Sequence, residues 1–260
     1  NIDPNLKWEI KNKKKIVSYL DSLYDAAIRL DPNLILFPET AYPTYLKLNN
    51  RLRNHIQEKV NQSEIFTLIG TVDKVSTIDN VNKYYNSSIL FSKNIDIQVY
   101  NKIHLVPFAE YVPFSDKFSF LSKINFGQGN FSHGKEILNF DLKGIRIGNL
   151  ICYESSIPSL ISKFVNNGAD ILTIQTNDGW LGKSQGPYQH YNIAKIRAIE
   201  NRVPIVRSGN TGISGLILPN GISEHETSLE TTSVFKVSVP LLKSGSFIVI
   251  MVIFLYYFAL

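Results

Sequence analysis

The chain has 260 residues, 44% of them hydrophobic, and 27 Lys and Arg against 22 Asp and Glu give it a net charge of +5. That length and apolar content exclude a disordered chain and supply one large core or two small ones. A single cysteine excludes an intrachain disulfide, and the mild positive charge, with no aromatic-interleaved basic stripe, gives no ground for nucleic-acid binding.

The basic run Lys11-Asn12-Lys13-Lys14-Lys15 reads as a solvated helix face, with contact to anionic lipid headgroups as the alternative. Ile16, Leu20, Leu23, Ala27 and Leu30 recur at three- and four-residue spacing and predict an amphipathic helix, which Asp31-Pro32 stops. Leu34 to Phe37 fits a buried strand, and a second helix is expected over Leu48 to Asn61. Strands are expected over Ile65–Val72, Ser87–Phe91 and Ile95–Tyr100. The stretch from His104 to Lys135 is rich in Pro, Gly and Phe; connections of that length usually form a lid or binding loop. Its aromatics, among them Phe108, Phe114, Phe118, Phe120 and Phe126, fit either an interfacial surface or a small core under the loop.

The second half alternates strands and helices: strand Ile145–Ile151, helix Ser159–Asn167, strand Asp170–Thr176, helix Tyr188–Asn201 and strand Pro204–Arg207. Ile213–Leu218 with the turn Pro219-Asn220-Gly221 reads as a hairpin arm, and Ser233–Val239 as a last strand. The fold class is α/β, a mixed sheet protein covered by helices, with no linker or repeat to divide it. The first domain is expected over residues 1–243. From Gly245 to Leu260 the chain is apolar and uncharged. As a helix that run spans about 24 Å, short of the roughly 30 Å hydrocarbon core, so residues 244–260 read as the start of a transmembrane helix. Together with an Asn at position 1, this points to a piece of a longer protein.

Three polar residues stand where apolar strands stop: Glu39 after Leu34–Pro38, Lys102 after Ile97–Asn101, and Cys152 after Ile145–Ile151. Singly, each has a plain structural reading: surface charges for Glu39 and Lys102, buried filler for Cys152. If the strands share one sheet with aligned carboxyl ends, a carboxylate, an ammonium and a thiol converge there, where open α/β folds bind ligands. That set suffices for nucleophilic acyl transfer: a base for the thiol and a cation for the oxyanion.

The segments Phe37-Pro38-Glu39-Thr40, Asn101 to Pro113 and Ile151-Cys152-Tyr153-Glu154 resemble the three signature segments of the nitrilase, or carbon–nitrogen hydrolase, superfamily. The long middle form, Lys102-Ile103-His104-Leu105-Val106-Pro107-Phe108-Ala109-Glu110-Tyr111-Val112-Pro113, is similar to that of the apolipoprotein N-acyltransferases, its membrane branch. Thr176-Asn177-Asp178-Gly179-Trp180, Gly186 to His190, Arg197 to Arg202 and Asn1 to Trp8 share that likeness.

The resemblance implies a nitrilase-like α-β-β-α sandwich with Cys152 as nucleophile, Glu39 as general base and Lys102 as oxyanion cation. It gives Glu110, Tyr153, Glu154 and Trp8 supporting or substrate-binding roles, and requires neither cofactor nor metal. His104 and His190 are not expected to form a Cys–His dyad, since Glu39 and Lys102 fill those roles. The implied partners are a phospholipid acyl donor, a diacylglyceryl apolipoprotein acceptor and the membrane. The implied location is the bacterial inner membrane, with the catalytic domain on the periplasmic side, and the implied state is a monomer. Two rivals remain: a soluble amidase acting on small amides, and an inactive membrane-anchored scaffold.

Overall fold

The computed structural model describes residues 1–77, 79, 81–114 and 130–241. Among the described residues ten strands form two sheets. The first is ordered β1 (Leu34–Leu36), β2 (Phe66–Ser76), β3 (Asn82–Ser92) and β4 (Ile95–Asn101). β1 runs parallel to β2, and the others form an antiparallel meander. The second has six strands: β10 (Ser223–Glu224), β9 (Gly215–Ile217), β8 (Ile205–Asn210), β7 (Ile171–Asn177), β6 (Ile145–Ile151) and β5 (Asn139–Leu142). Within it β6, β7 and β8 are parallel, joined by crossovers through α4 (Pro158–Asn166) and α5 (Gly186–Asn201).

Strand alternation sorts the side chains into layers. Ile35, Ile69, Ile89 and Phe91 face outward, where Ile16, Leu20 and Tyr24 of α2 (Ile10–Ile28) and Leu52, Ile56 and Val60 of α3 (Asn50–Ser63) cover them. Phe66, Leu68 and Leu90 face inward, in the core cluster shared with the second sheet and with Leu160, Phe164, Tyr191 and Ala194. The result is the expected α-β-β-α sandwich. A polar seam pins the two sheets at one register. Asn149 Nδ2 donates to Ser88 Oγ (2.8 Å), and Gln175 Nε2 donates to the carbonyl of Phe37 (2.6 Å). Such buried amides hold a unique alignment that apolar contacts leave free.

Three expectations are corrected. Glu39 and Lys102 end strands of the first sheet and Cys152 a strand of the second, so the three converge across the sandwich and not along one sheet. Ser233–Val239 forms no strand: its backbone finds no ladder, and Lys236 Nζ instead donates to the carbonyls of Leu30 (3.0 Å) and Asp31 (2.6 Å). β5 falls between the loop-rich stretch and Ile145, where no strand is expected. It pairs with β6 through a two-residue turn, Lys143-Gly144, in which both residues have positive φ, as a type I′ hairpin requires. Among the described residues no helix is long and apolar enough to cross a membrane. The apolar run from Gly245, and Phe118, Phe120 and Phe126, lie outside the described residues.

Candidate active site

Glu39 sits in the turn just after β1, 6% exposed. Its seat depends on a close backbone approach. A Cβ on Gly70 of β2 would lie 2.4 Å from the Pro38 carbonyl oxygen and 2.7 Å from Glu39 Cα, so only glycine lets this turn lie against the strand. Lys102 follows β4 and is 1% exposed. Its carbonyl accepts from the Gly134 N–H (2.7 Å), and a Cβ on Gly134 would stand 2.0 Å from the Asn101 carbonyl oxygen.

The Lys102 ammonium lies 2.8 Å from both carboxylate oxygens of Glu110 and 3.8 Å from Glu39 Oε1. Asn86 joins the two acids, its Nδ2 donating to Glu39 Oε1 (2.7 Å) and Glu110 Oε1 (2.9 Å). Glu110 also accepts from the backbone N–H of Val106 (2.8 Å). Two carboxylates, one ammonium and one amide thus form a closed cluster. Burial pushes the Glu39 carboxyl up, Lys102 pulls it down and Glu110 pushes it up again; the net direction is up. Burial pulls the Lys102 ammonium down, but the charges of Glu39 and Glu110 outweigh it and hold the lysine well above its usual value. Lys102 is therefore a permanent cation, while Glu39 is a stronger base than a solvated carboxylate.

Cys152 opens a 3₁₀ turn, Cys152–Ser156, directly after β6. It is half-buried, with φ +51°, a left-handed conformation uncommon outside glycine. Burial and then the Glu39 charge push the thiol up to about 12 against the pull of Lys102. At neutral pH the sulfur holds its proton, so a nucleophile here needs a base at the moment of attack.

Glu154 is fully buried, and both its carboxylate oxygens accept hydrogen bonds. Oε1 accepts from Tyr100 OH (2.8 Å), Ile103 N–H (2.7 Å) and His104 N–H (3.1 Å), and Oε2 from Ile151 N–H (2.8 Å). Burial raises its carboxyl above the usual range despite these bonds. It clamps the segment after Lys102 to the strand before Cys152, and its complete burial keeps it from a substrate. Tyr153, next to Cys152 in sequence, is 39% exposed. Trp8 is the half-buried C-cap residue of the short helix α1 (Pro4–Lys7).

The structure adds Lys7, which sequence reasoning does not single out. It is 1% exposed, and its Nζ donates to Thr40 Oγ1 (3.4 Å), next to Glu39. Burial lowers it to about 8, and the Glu39 charge limits the fall. No apolar periodicity surrounds it; only its place in the Asn1–Trp8 likeness marks the segment.

Residues 5–243 match the carbon–nitrogen hydrolase family model. A Geobacter metallireducens protein named apolipoprotein N-acyltransferase is 36% identical over 249 residues, 95% of this chain and 48% of that protein. One of the same name from Chlorobaculum tepidum is 35% identical, over 93% of this chain and 50% of that protein. The chain spans about half the length of the curated relatives it matches. Among solved structures, a Helicobacter pylori carbon–nitrogen hydrolase aligns with TM-score 0.63 at 16% identity, over 83% of this chain and 80% of that one. Saccharomyces cerevisiae Nit3, of the nitrilase superfamily, aligns with TM-score 0.62 at 18% identity, over 84% and 81%. At such identities these structures speak for the fold alone.

Proposed function

The chain belongs to the carbon–nitrogen hydrolase family, and we propose that it is the catalytic portion of a phospholipid:apolipoprotein N-acyltransferase. The observation that carries the chemistry is the Lys102 ammonium, held by Glu110 and Glu39 and exerting its charge on the Cys152 thiol. The likeness over nearly the whole chain to relatives of that name supports the choice of acceptor.

In the first half-reaction Glu39 takes the Cys152 proton as sulfur attacks the carbonyl carbon of a phospholipid acyl ester. A C–S bond forms, and the Lys102 ammonium stabilises the oxyanion. The ester C–O bond breaks, the lysophospholipid oxygen takes the proton back from Glu39, and a thioester remains. In the second half the α-amino group of a diacylglyceryl-cysteine attacks the thioester. A C–N bond forms, the C–S bond breaks, and the amine proton passes through Glu39 to sulfur. Two half-reactions through a covalent intermediate give ping-pong kinetics.

Glu110 holds Lys102, and Glu154 holds the turn that bears Cys152. The exposed Tyr153, Phe108 and Phe114 adjoin Cys152 and Glu110 in sequence. They offer an aromatic rim suited to a bilayer interface. On this reading residues 1–243 form a periplasmic domain, residues 244–260 begin a membrane helix, and the protein works in the bacterial inner membrane as a monomer.

The test is intact-mass spectrometry of the complete gene product in detergent, after phospholipid without acceptor. The expected result is an acyl-sized increment that hydroxylamine removes and Cys152→Ala abolishes. No increment, but release of ammonia from small amides, would move the assignment to an amidase.

A further inference from the structure

Against the backbone carbonyl of Cys152 lies a second polar cluster that the proposed chemistry does not use. Arg207 of β8 sends Nη2 to Asp178 Oδ2 (2.6 Å), and its Nε donates to the carbonyl of Ile213 (3.0 Å). Asp178 Oδ1 lies 2.9 Å from His190 Nδ1 and accepts from Thr176 Oγ1 (2.9 Å). On the far side of the ring, His190 Nε2 lies 2.8 Å from Ser155 Oγ and 3.2 Å from the Cys152 carbonyl oxygen. Ser155 Oγ donates to that same carbonyl (2.9 Å).

The order Ser–His–Asp has the look of a hydrolytic triad, but burial rules out that use. Ser155 is fully enclosed and Asp178, Arg207 and His190 are all buried, so no acyl carbonyl reaches the hydroxyl. What the chain of contacts does reach is the backbone of Cys152. That residue is held left-handed, a strained conformation for a non-glycine residue that persists only where its surroundings over-determine it. Two polar side chains converge on its carbonyl. Behind them an ion pair fixes the imidazole: burial opposes the Asp178 charge, but His190 and Arg207 hold that carboxyl down at about 2, so it is anionic at any working pH.

We propose that Arg207, Asp178, His190 and Ser155 form a positioning relay that holds the Cys152 backbone in its left-handed conformation and so aims the sulfur at the Lys102 side of the site. None of the four touches the reacting atoms; they act through one carbonyl. The proposal rests on Cys152 being the nucleophile, but not on which acyl group it takes. It also gives work to Thr176–Asp178 and His190, two segments that the sequence likeness marks and the Glu–Lys–Cys set leaves idle.

The test compares Ser155→Ala, His190→Ala and the double variant in the complete gene product, with Ser162→Ala as control. Ser162 is a buried hydroxyl on α4 bonded to Asn201 (3.4 Å), outside the relay. Two rates are read: formation of the Cys152 acyl adduct from phospholipid, and alkylation of Cys152 by iodoacetamide, a neutral probe that needs no lipid. Ser155→Ala and His190→Ala are expected to slow both at least tenfold, with the KM for phospholipid within twofold. The double variant should be no slower than the slower single, since both act through one carbonyl. Ser162→Ala should leave both rates unchanged.

Normal alkylation and acylation in folded Ser155→Ala overturns the proposal, whether or not His190→Ala folds. So does an acyl ester, resistant to hydroxylamine at neutral pH, formed in Cys152→Ala, since it would make Ser155 a nucleophile. If alkylation slows as expected but wild-type protein forms no acyl adduct, the relay stands and the transferase reading falls.

Discussion

The two sheets deliver their functional groups by different physics. The first sheet contributes Glu39 and Lys102 as side chains held by charge: ammonium, two carboxylates and the Asn86 amide balance one another in a space closed to water. The second contributes Cys152 through its backbone, held by Glu154 on the N–H of Ile151 and by Ser155 and His190 on its own carbonyl. A charged group can be tuned by its neighbours but tolerates small shifts in distance. A sulfur that must approach one carbon along one line needs its main chain fixed. The first half of the site should therefore respond to changes of charge, and the second to changes of hydrogen bonding that leave charge alone.

The hardest test of the charged half is Lys102→Met. It leaves two buried carboxylates facing each other without a cation, so activity should fall to background and stability by about 3–5 kcal/mol. Urea unfolding beside an acyl-transfer assay reads both; unchanged stability would mean that the cluster is wetter than its burial indicates. Glu110→Gln is milder. Lys102 keeps Glu39 as partner, and turnover should drop about 10–100-fold by analogy with other supporting ligands. The variant also removes a like charge that pushes Glu39 up, so Glu39 titrates lower and the acidic limb of the pH–rate profile moves to lower pH. A limb that stays in place would disconnect Glu39 from that limb.

Lys7→Met tests the edge of the cluster and should act in the opposite direction, by stabilising. In the folded chain Lys7 sits at about 8 against an ordinary 10.5. Below pH 8 both folded and unfolded states hold the proton and the burial cost is felt in full. From 8 to 10.5 the folded state releases it first, so wild-type stability rises with pH through that window. The variant should gain at most roughly 3 kcal/mol at pH 7 and lose that advantage above pH 10.5. Denaturation midpoints at pH 7 and 11 decide it, and an equal gain at both would assign the effect to packing.

Much of this was legible from the chain. Strand ends at Glu39, Lys102 and Cys152 show because apolar runs stop there against Pro, Lys or a turn, and those signals are local. The assignment of the strands to two sheets is not local: it depends on pairings such as Leu34 with Phe66 and Ile147 with Ile171, which no periodicity encodes. Ser233–Val239 has a strand-like alternation but pairs with no strand among the described residues. β5 is only four residues long, yet its Lys143-Gly144 turn was a usable signal. His190 reads as irrelevant while one asks for a base touching sulfur; its reach to a carbonyl appears only once α5 is folded onto the Cys152 turn.

The Glu154 clamp has a consequence for how the molecule comes apart. One carboxylate accepts the N–H groups of Ile103 and His104, just past β4 of the first sheet, and of Ile151, on β6 of the second. The candidate site therefore cannot loosen piecemeal. Opening either side strips a buried acid of its donors, and these three amides should exchange their hydrogens only when the whole domain unfolds. The site is then a part of the folding unit itself, and a population of molecules that are folded but poorly assembled at Cys152 has little room to exist.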